Sequence, residues 1–147
     1  MAKLFNKILC PIDFDDNSMA ALDLCCTIAA LNGSSVYLMH VVSIPLQAQL
    51  TPLPLESSAV REQEARTKLE QVARDRIPGE VRYEIVTGSG SIAQAILHAE
   101  VGYGVELIVM AAHGHGRSAV GHFLLGGIAE QVLRESKCPV LAVPLRQ

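Results

Sequence analysis

The chain has 147 residues and a formal net charge of −3, and its composition is 50% hydrophobic but only 4% aromatic. This length suits one domain with one core, and the scarcity of aromatic residues predicts a core of valine, isoleucine, leucine and alanine. We expect a single domain over 1–147. The net charge is negative and the sequence has no basic patch with interleaved aromatics, so we expect this domain to bind neither nucleic acid nor an anionic membrane.

No apolar run in the sequence has the form of a signal peptide or the length of a membrane span. We therefore expect a cytoplasmic protein. The cysteines show neither the spacing of metal ligands nor the disulfide pattern of small scaffolds, and we expect them to be small buried hydrophobic residues. They are Cys10, Cys25, Cys26 and Cys138.

The first predicted elements are a strand over 7–14, a helix, and a strand over 35–42. The helix follows polar capping candidates at 15–18, repeats apolar residues at i, i+3, i+4 and i+7 from Leu22, and stops at the sequence Leu-Asn-Gly. Three prolines within 43–58 forbid a regular helix or a central strand. This segment is therefore predicted to be a surface crossover loop.

The alternation of strands and helices continues to the end of the chain. A helix is predicted over 58–76, where acidic and basic side chains pair at i, i+4 spacing. The next helix has Ser89 or Ser91 as its capping residue and is closed by glycine. The remaining elements are predicted as strands over 81–88 and 105–112, a helix over 127–137, and a last strand over 138–145 that contains Pro139 and Pro144.

This order of elements predicts an α/β fold: a five-stranded parallel, doubly wound sheet with helices on both faces. Ligands of such folds bind beyond the carboxyl ends of the strands, where the strand order reverses. Asp13 lies at the end of the first predicted strand. Its carboxylate suits a hydrogen bond to a ribose or a base, and equally suits capping or turn formation.

A glycine-spaced stretch, MAAHGHGRSAVGHFLLGG, occupies residues 110–127. It connects the apolar strand to the start of the last long helix, where free amides and the helix dipole favour an anion such as phosphate. Glycine also permits the close main-chain approach that a phosphate nest requires. The residues alone leave equally open a flexible turn that ends in a tight helix start at Gly126 and Gly127.

Two better-known phosphate loops are excluded. The stretch GRSAVGHF has the glycine spacing of a Walker A loop, but His122 and Phe123 stand where the lysine and the magnesium-binding hydroxyl belong. A dinucleotide fingerprint would follow the first strand, and the sequence PIDFDDNS contains no glycine.

Four stretches resemble the universal stress protein family, and together they span nearly the whole chain. They are ILCPIDFDDNSMAAL, LMHVV, TGSGSIAQAIL, and the run from LIVMAAHGHG through FLLGGIAEQVLRESKCPVLAVP. The last is similar to the family signature Gly-x2-Gly-x9-Gly-(Ser/Thr), because Gly116 and Gly126 reproduce the nine-residue spacing. Counting back from Gly116 places His113 at the first glycine position, whereas counting forward from the strand places Ala111 there and makes the loop two residues longer. Gly127 replaces the hydroxyl residue that helps to hold phosphate.

The resemblance implies an adenine nucleotide alpha hydrolase-like fold that binds ATP or AMP. It leaves open whether Mg²⁺ binds together with the nucleotide. It implies that Asp13 and the main chain of Val41 lie near the nucleoside, and that the glycine loop and the first amides of the last helix hold the phosphates. Arg117 is a further candidate contact to phosphate. The full set of implied binding residues is Pro11, Ile12, Asp13, Val41, Met110, Ala111, His113, Gly114, Gly116, Arg117, Gly126, Gly127, Ile128 and Ala129.

The resemblance also implies a homodimer that pairs through the last strand, PVLAVP, for which the alternative is an edge protected by its prolines. A metal site at the sequence His-Gly-His, with His40 and Cys10, is not expected because the spacing matches no closed zinc pattern. The sequence contains no nucleophile elbow, so no catalytic residue is assigned. Slow ATP hydrolysis stays an alternative, because Asp13 could position a water molecule or a phosphate-bound metal ion. Besides a nucleotide-responsive stress or signalling module, the alternatives are a nucleotide-free interaction protein and a slow ATPase.

Overall fold

The structure is a computed structural model that describes residues 4–42, 55–112 and 127–144, without the side chains of 55–57. Strands and helices alternate through these ranges. Their bounds are β1 Lys7–Pro11, α1 Asp16–Asn32, β2 Ser35–Val42, α2 Leu55–Arg76, β3 Tyr83–Ser89, α3 Ile92–Tyr103, β4 Leu107–Ala111, α4 Gly127–Glu135 and β5 Val140–Val143.

All neighbouring strands run parallel, in the order β3-β2-β1-β4-β5. β1 is central, and Ile8 pairs with Val36 on one side and with Leu107 on the other. The chain builds the sheet outward from β1 to β3, then returns to add β4 and β5 on the other side. The strand order therefore reverses between β1 and β4, where the carboxyl ends of the two strands border a cleft. The predicted fold class is confirmed.

Each face of the sheet is covered by two helices. On one face, α1 and α2 pack Leu22 and Leu69 against Ile8. On the opposite face, α3 and α4 pack Ile96 and Val132 among a second set of strand residues. Successive strand residues point to opposite faces, so β1, which is apolar after Lys7, and β4, which is apolar throughout, contribute to both cores.

The buried cysteines belong to the first of these two cores. Cys10, Cys25 and Cys26 are buried free thiols, as expected, whereas Cys138 is only half-buried. Burial is the main cause that raises the pKa of the Cys26 thiol to about 12. The Cys26 thiol is therefore protonated at neutral pH, and all three buried side chains pack as small hydrophobic residues.

The predicted helix signals are present in α1 and α3. Asp15 caps α1 by accepting a hydrogen bond of 2.8 Å from the amide of Ser18. Gly33 and Gly104 end the two helices in the left-handed conformation that favours glycine. Ser91 is the N-cap residue of α3 but makes no side-chain capping bond.

Several predicted bounds are wrong by a few residues. β1 ends at Pro11 and not at residue 14, because the chain turns there and Phe14 adopts a left-handed φ of 68°. α2 begins at Leu55, inside the predicted loop 43–58, since a proline restricts the chain before a helix without preventing the helix from starting after it. Residues 43–54 of that loop lie outside the described ranges. Among the described helices, none combines the length and the hydropathy needed to cross a bilayer.

Candidate functional site

The cleft at the carboxyl ends of β1 and β4 brings together the described part of the predicted site. Pro11 ends β1 and Ala111 ends β4. The start of α4 lies on the sheet face where Ala129 and Met110 belong to the same buried cluster. Val41 is one residue from the end of β2, the strand next to β1. The structure thus places residues from four distant parts of the sequence around one end of the sheet.

The rest of the predicted phosphate loop lies outside the described residues. The assignment of these loop residues to a phosphate site stays a prediction, and the expectation that His-Gly-His holds no metal stays untested. The residues concerned are His113, Gly114, Gly116, Arg117 and Gly126.

Asp13 is fixed by the turn between β1 and α1. Its amide donates to the buried hydroxyl of Ser18 at 3.0 Å, and the same hydroxyl donates to Asp13 Oδ1 at 2.5 Å. The amide of Asp15 also donates to Oδ1, at 3.3 Å. The turn-forming role that the sequence offered for Asp13 is therefore present. A carboxylate has two oxygens with several acceptor positions, so this role and a contact to ligand are chemically compatible.

His40 and Phe14 form a contact beside this turn that the sequence analysis did not predict. Nδ1 of His40 lies 2.8 Å from the carbonyl oxygen of Ile12, and the rings of His40 and Phe14 have centroids 4.5 Å apart. Nζ of Lys68 lies 5.7 Å from the centroid of the Phe14 ring. The available signal is a histidine near the end of a largely apolar strand, a pattern that also suits a metal ligand.

Cys10, the other residue of that metal hypothesis, is fully buried within β1. A hydrogen bond with the Cys25 thiol, followed by burial, raises its pKa well above the ordinary value. Because the thiolate is the form that binds metals, this thiol is poorly suited to coordination. Within the described ranges, no group of three or more histidine, cysteine, aspartate or glutamate side chains is arranged to hold a metal ion.

The start of α4 is open around Gly127. The residue is exposed, and a β carbon built on it meets no atom of the described residues within 4 Å. Its φ lies outside the left-handed range. The backbone conformation therefore does not demand glycine at this position. Free amides at a helix start are suited to an anion.

Glu130 in the first turn of α4 would oppose an anion there by charge repulsion. Its carboxylate pairs with Arg134 of the following turn at 3.7 Å. Both side chains are more than half exposed, so solvent screens this pair and its energetic effect is small.

The last strand, β5, forms the edge of the sheet beside β4. Its four residues are all apolar, yet none is buried, and Leu141 is 37% exposed. The turn before it is fixed by the buried carboxylate of Glu100, which accepts from the amides of Lys137 and Cys138 at 2.7 and 2.8 Å. The hydroxyl of Ser136 donates to the same oxygen at 3.1 Å. An apolar edge strand is thus firmly anchored but incompletely covered.

Comparison with known proteins gives the same fold and identifies the family. A protein of Methanocaldococcus jannaschii, universal stress protein MJ0577, has a structure with a TM-score of 0.82 at 25% identity, covering 98% of this chain and 99% of that one. Two neighbours with a TM-score of 0.63 are a universal stress protein in complex with cAMP, at 20% identity, and one from Archaeoglobus fulgidus in complex with dAMP, at 17% identity. They cover 97% and 96% of this chain, and 98% of their own chains are matched.

The sequence comparisons agree with the structural ones. A universal stress protein of Thermus aquaticus is 31% identical over 95% of this chain and 99% of its own length. The model of the universal stress protein family matches residues 4–144. The resemblance seen in the motifs is thereby confirmed: the chain belongs to the universal stress protein family.

Proposed function

We propose that this protein binds an adenine nucleotide, ATP or AMP, in the cleft between the carboxyl ends of β1 and β4, and acts as a nucleotide-responsive stress or signalling module. The observation that carries the proposal is the convergence of the Asp13 turn, the end of β2 and the start of α4 on this cleft. Parallel α/β sheets bind ligands at such a reversal of strand order. Two structural neighbours hold dAMP and cAMP, which supports an adenine nucleotide as the ligand class.

The chemistry of the described residues suits the two ends of such a ligand. Asp13 offers a carboxylate to ribose hydroxyls, and the main chain of Val41 offers polar groups to the base. The first amides of α4, at Gly127, Ile128 and Ala129, face the phosphates with the positive end of the helix dipole. The predicted loop residues would complete the phosphate site. Whether Mg²⁺ binds together with the nucleotide is left to the titration. No residue is assigned to catalysis.

The test is to identify what the protein carries and then to titrate it. Freshly purified protein is denatured and any released small molecule is identified by mass spectrometry. ATP and AMP, each with and without Mg²⁺, are then titrated by calorimetry, with GTP as the comparison. We expect saturable binding of an adenine nucleotide. The absence of binding at millimolar ATP and AMP would refute the proposal, and a steady release of phosphate from ATP would favour the slow ATPase instead.

A nucleotide-free interaction protein is the second candidate, and Gly127 favours it. The residue supplies no hydroxyl to a phosphate at the start of α4, so one hydrogen bond of the predicted site is missing. The titration separates the two functions, because an interaction protein of this kind would bind neither ATP nor AMP.

We also propose that the protein is a homodimer paired through β5, in a cytoplasmic setting. The incompletely covered apolar edge of β5 and the exposed Leu133 of α4 support this pairing. An edge strand presents unpaired amides and carbonyls that a second copy can satisfy. A two-fold axis would let the same strand serve both subunits.

A further inference from the structure

The hydrogen-bond pattern of β2 leaves Val41 facing the end of β1. Main-chain groups of successive strand residues point to opposite edges of the strand. Met39 faces β1, because its carbonyl oxygen accepts from the amide of Ile12 at 2.8 Å. Val42 faces β3, because its carbonyl oxygen accepts from the amide of Gly90 at 3.3 Å. Val41 shares the orientation of Met39, so its amide and carbonyl point to the side of β1.

The His40 side chain bonds to the carbonyl oxygen of Ile12, which would otherwise accept a hydrogen bond from the Val41 amide. In a parallel ladder, the residue that donates to residue 39 accepts from residue 41, which makes the Ile12 carbonyl the expected partner of that amide. The described residues contain no such bond, and the Ile12 oxygen instead lies 2.8 Å from Nδ1 of His40. Since a carbonyl oxygen only accepts, Nδ1 carries the proton. The β1–β2 ladder accordingly ends at the Pro11–Met39 pair.

The His40 ring is held in this orientation by its neighbours. The Phe14 ring packs against it at a centroid distance of 4.5 Å and an interplanar angle of 46°. Phe14 adopts a φ of 68°, which a bulky residue rarely does unless its surroundings enforce it. Lys68 of α2 lies over the Phe14 ring at 5.7 Å. The imidazole is therefore held by Ile12 and Phe14 of the β1–α1 turn, and Lys68 of α2 contacts the Phe14 ring.

We propose that His40 is a positioning residue for base recognition: by occupying the Ile12 carbonyl, it keeps the main-chain amide and carbonyl of Val41 available to the edge of the base. This inference rests on the proposed nucleotide binding and specifies how that site selects its base. One N–H and one C=O that face the same way complement the acceptor N1 and the donor amine N6 of adenine. Guanine carries the opposite pair, a donor at N1 and an acceptor at O6, and is therefore disfavoured.

Amide hydrogen exchange of the ligand-free protein tests the first step. In the wild type, the Val41 amide should exchange freely and become protected when AMP is added. In His40→Leu, the Ile12 carbonyl is released to pair with that amide, so we expect the amide to exchange at least about tenfold more slowly without ligand. His40→Asn places an amide nitrogen where Nδ1 stood and should restore the wild-type exchange.

Ligand titrations test the second step. We expect His40→Leu to weaken AMP binding by about tenfold, the effect of losing one or two hydrogen bonds, and to remove the preference for AMP over GMP. Binding of inorganic triphosphate, which has no base, should not change. His40→Asn should recover most of the AMP affinity. His98→Leu is the matched control, because His98 is an exposed histidine of α3, and it should bind all three ligands as the wild type does.

The outcomes separate this inference from the proposed function. A wild type that binds neither ATP nor AMP refutes the proposed function, while the exchange experiment still decides whether His40 keeps the Val41 amide unpaired. A wild type that binds AMP, with unchanged exchange and unchanged base preference in His40→Leu, overturns the inference alone. A His40→Asn variant that folds but behaves as His40→Leu also overturns it, because the hydrogen bond from position 40 would not be the cause. Circular dichroism establishes that each variant is folded.

Discussion

Gly127 begins α4 where the family signature carries a serine or threonine, and the structure shows that the glycine is not needed to form the turn. Space for a side chain is open among the described residues, and the backbone lies outside the left-handed range. The glycine therefore lacks the hydroxyl of the family signature, and the backbone conformation does not require glycine in its place. At the scale of single residues, this departure from the family pattern leaves the described fold unchanged and bears on the proposed phosphate contact.

We expect Gly127→Ser to raise the affinity for ATP by about three- to tenfold, because its hydroxyl adds one hydrogen bond to phosphate. Calorimetric titration with ATP measures the gain. Gly127→Ala is the matched control, since it changes the backbone freedom equally but adds no hydroxyl, and adenosine serves as the ligand without phosphate. An equal gain in Gly127→Ala, or a gain for adenosine, would contradict a phosphate contact.

The buried Cys26 thiol makes the free energy of unfolding depend on pH in the alkaline range. Burial, followed by the nearby Cys25 and Asp23, raises the pKa of its thiol from 9.0 to about 12 in the folded protein. The unfolded chain loses this proton near pH 9.0, whereas the folded protein keeps it, so the free energy of unfolding falls as the pH rises through this window. Urea unfolding between about pH 8 and about pH 10.5 measures the slope. Cys26→Ala should show a shallower slope, and an unchanged slope would assign the effect to other groups, such as Cys10.

At the scale of elements, contacts distant in sequence determine where strands end and how they are anchored. β1 is predicted to reach residue 14, but it stops at Pro11, where the chain turns and the Ile12 carbonyl bonds to His40 of the neighbouring strand. The run Cys-Pro-Ile-Asp-Phe does not locate this stop, because its aspartate suits a turn and a ligand contact equally. The start of α2 at Leu55 was likewise hidden by the prolines before it. By contrast, caps such as Asp15 were readable, because a cap is formed by residues three apart.

Glu100 provides the corresponding anchor for β5. We expect Glu100→Ala to lower the free energy of unfolding by about 2–4 kcal/mol, because two amides and a hydroxyl lose a charged acceptor. Glu100→Gln keeps an acceptor oxygen and should cost only about 1 kcal/mol. Urea denaturation measures both, with Glu84→Ala as the control, since Glu84 is exposed on β3. Equal losses in Glu100→Ala and Glu84→Ala would show that Glu100 does not anchor the turn.

At the scale of the whole molecule, the sheet has two edges that differ in character. The β3 edge starts with the polar pair Tyr83 and Glu84, whereas β5 is apolar throughout and incompletely covered. The strand order places β5 at the opposite end of the sheet from β3. The cleft at the reversal between β1 and β4 lies one strand away from the apolar edge, so the proposed ligand site and the proposed subunit contact would both border β4.

We expect Leu141→Lys to convert a dimer into a monomer, because it places a charge in the apolar edge of β5. Light scattering coupled to gel filtration measures the mass in solution. Leu31→Lys is the matched control, since Leu31 is 86% exposed on α1, away from β5, and it should remain dimeric. A wild type that is monomeric at every concentration would contradict the proposed pairing.

The sequence by itself determined the alternation of strands and helices, the parallel fold class, three buried cysteines and the caps of α1. Each of these depends on periodicity or on contacts between residues a few positions apart. Only the tertiary structure decided that His40 takes the Ile12 carbonyl, 28 residues away, and that Glu100 anchors residues 36 to 38 positions further on. The physical reason is that a hydrogen bond between distant segments depends on strand register and helix docking, which no local pattern of residues records.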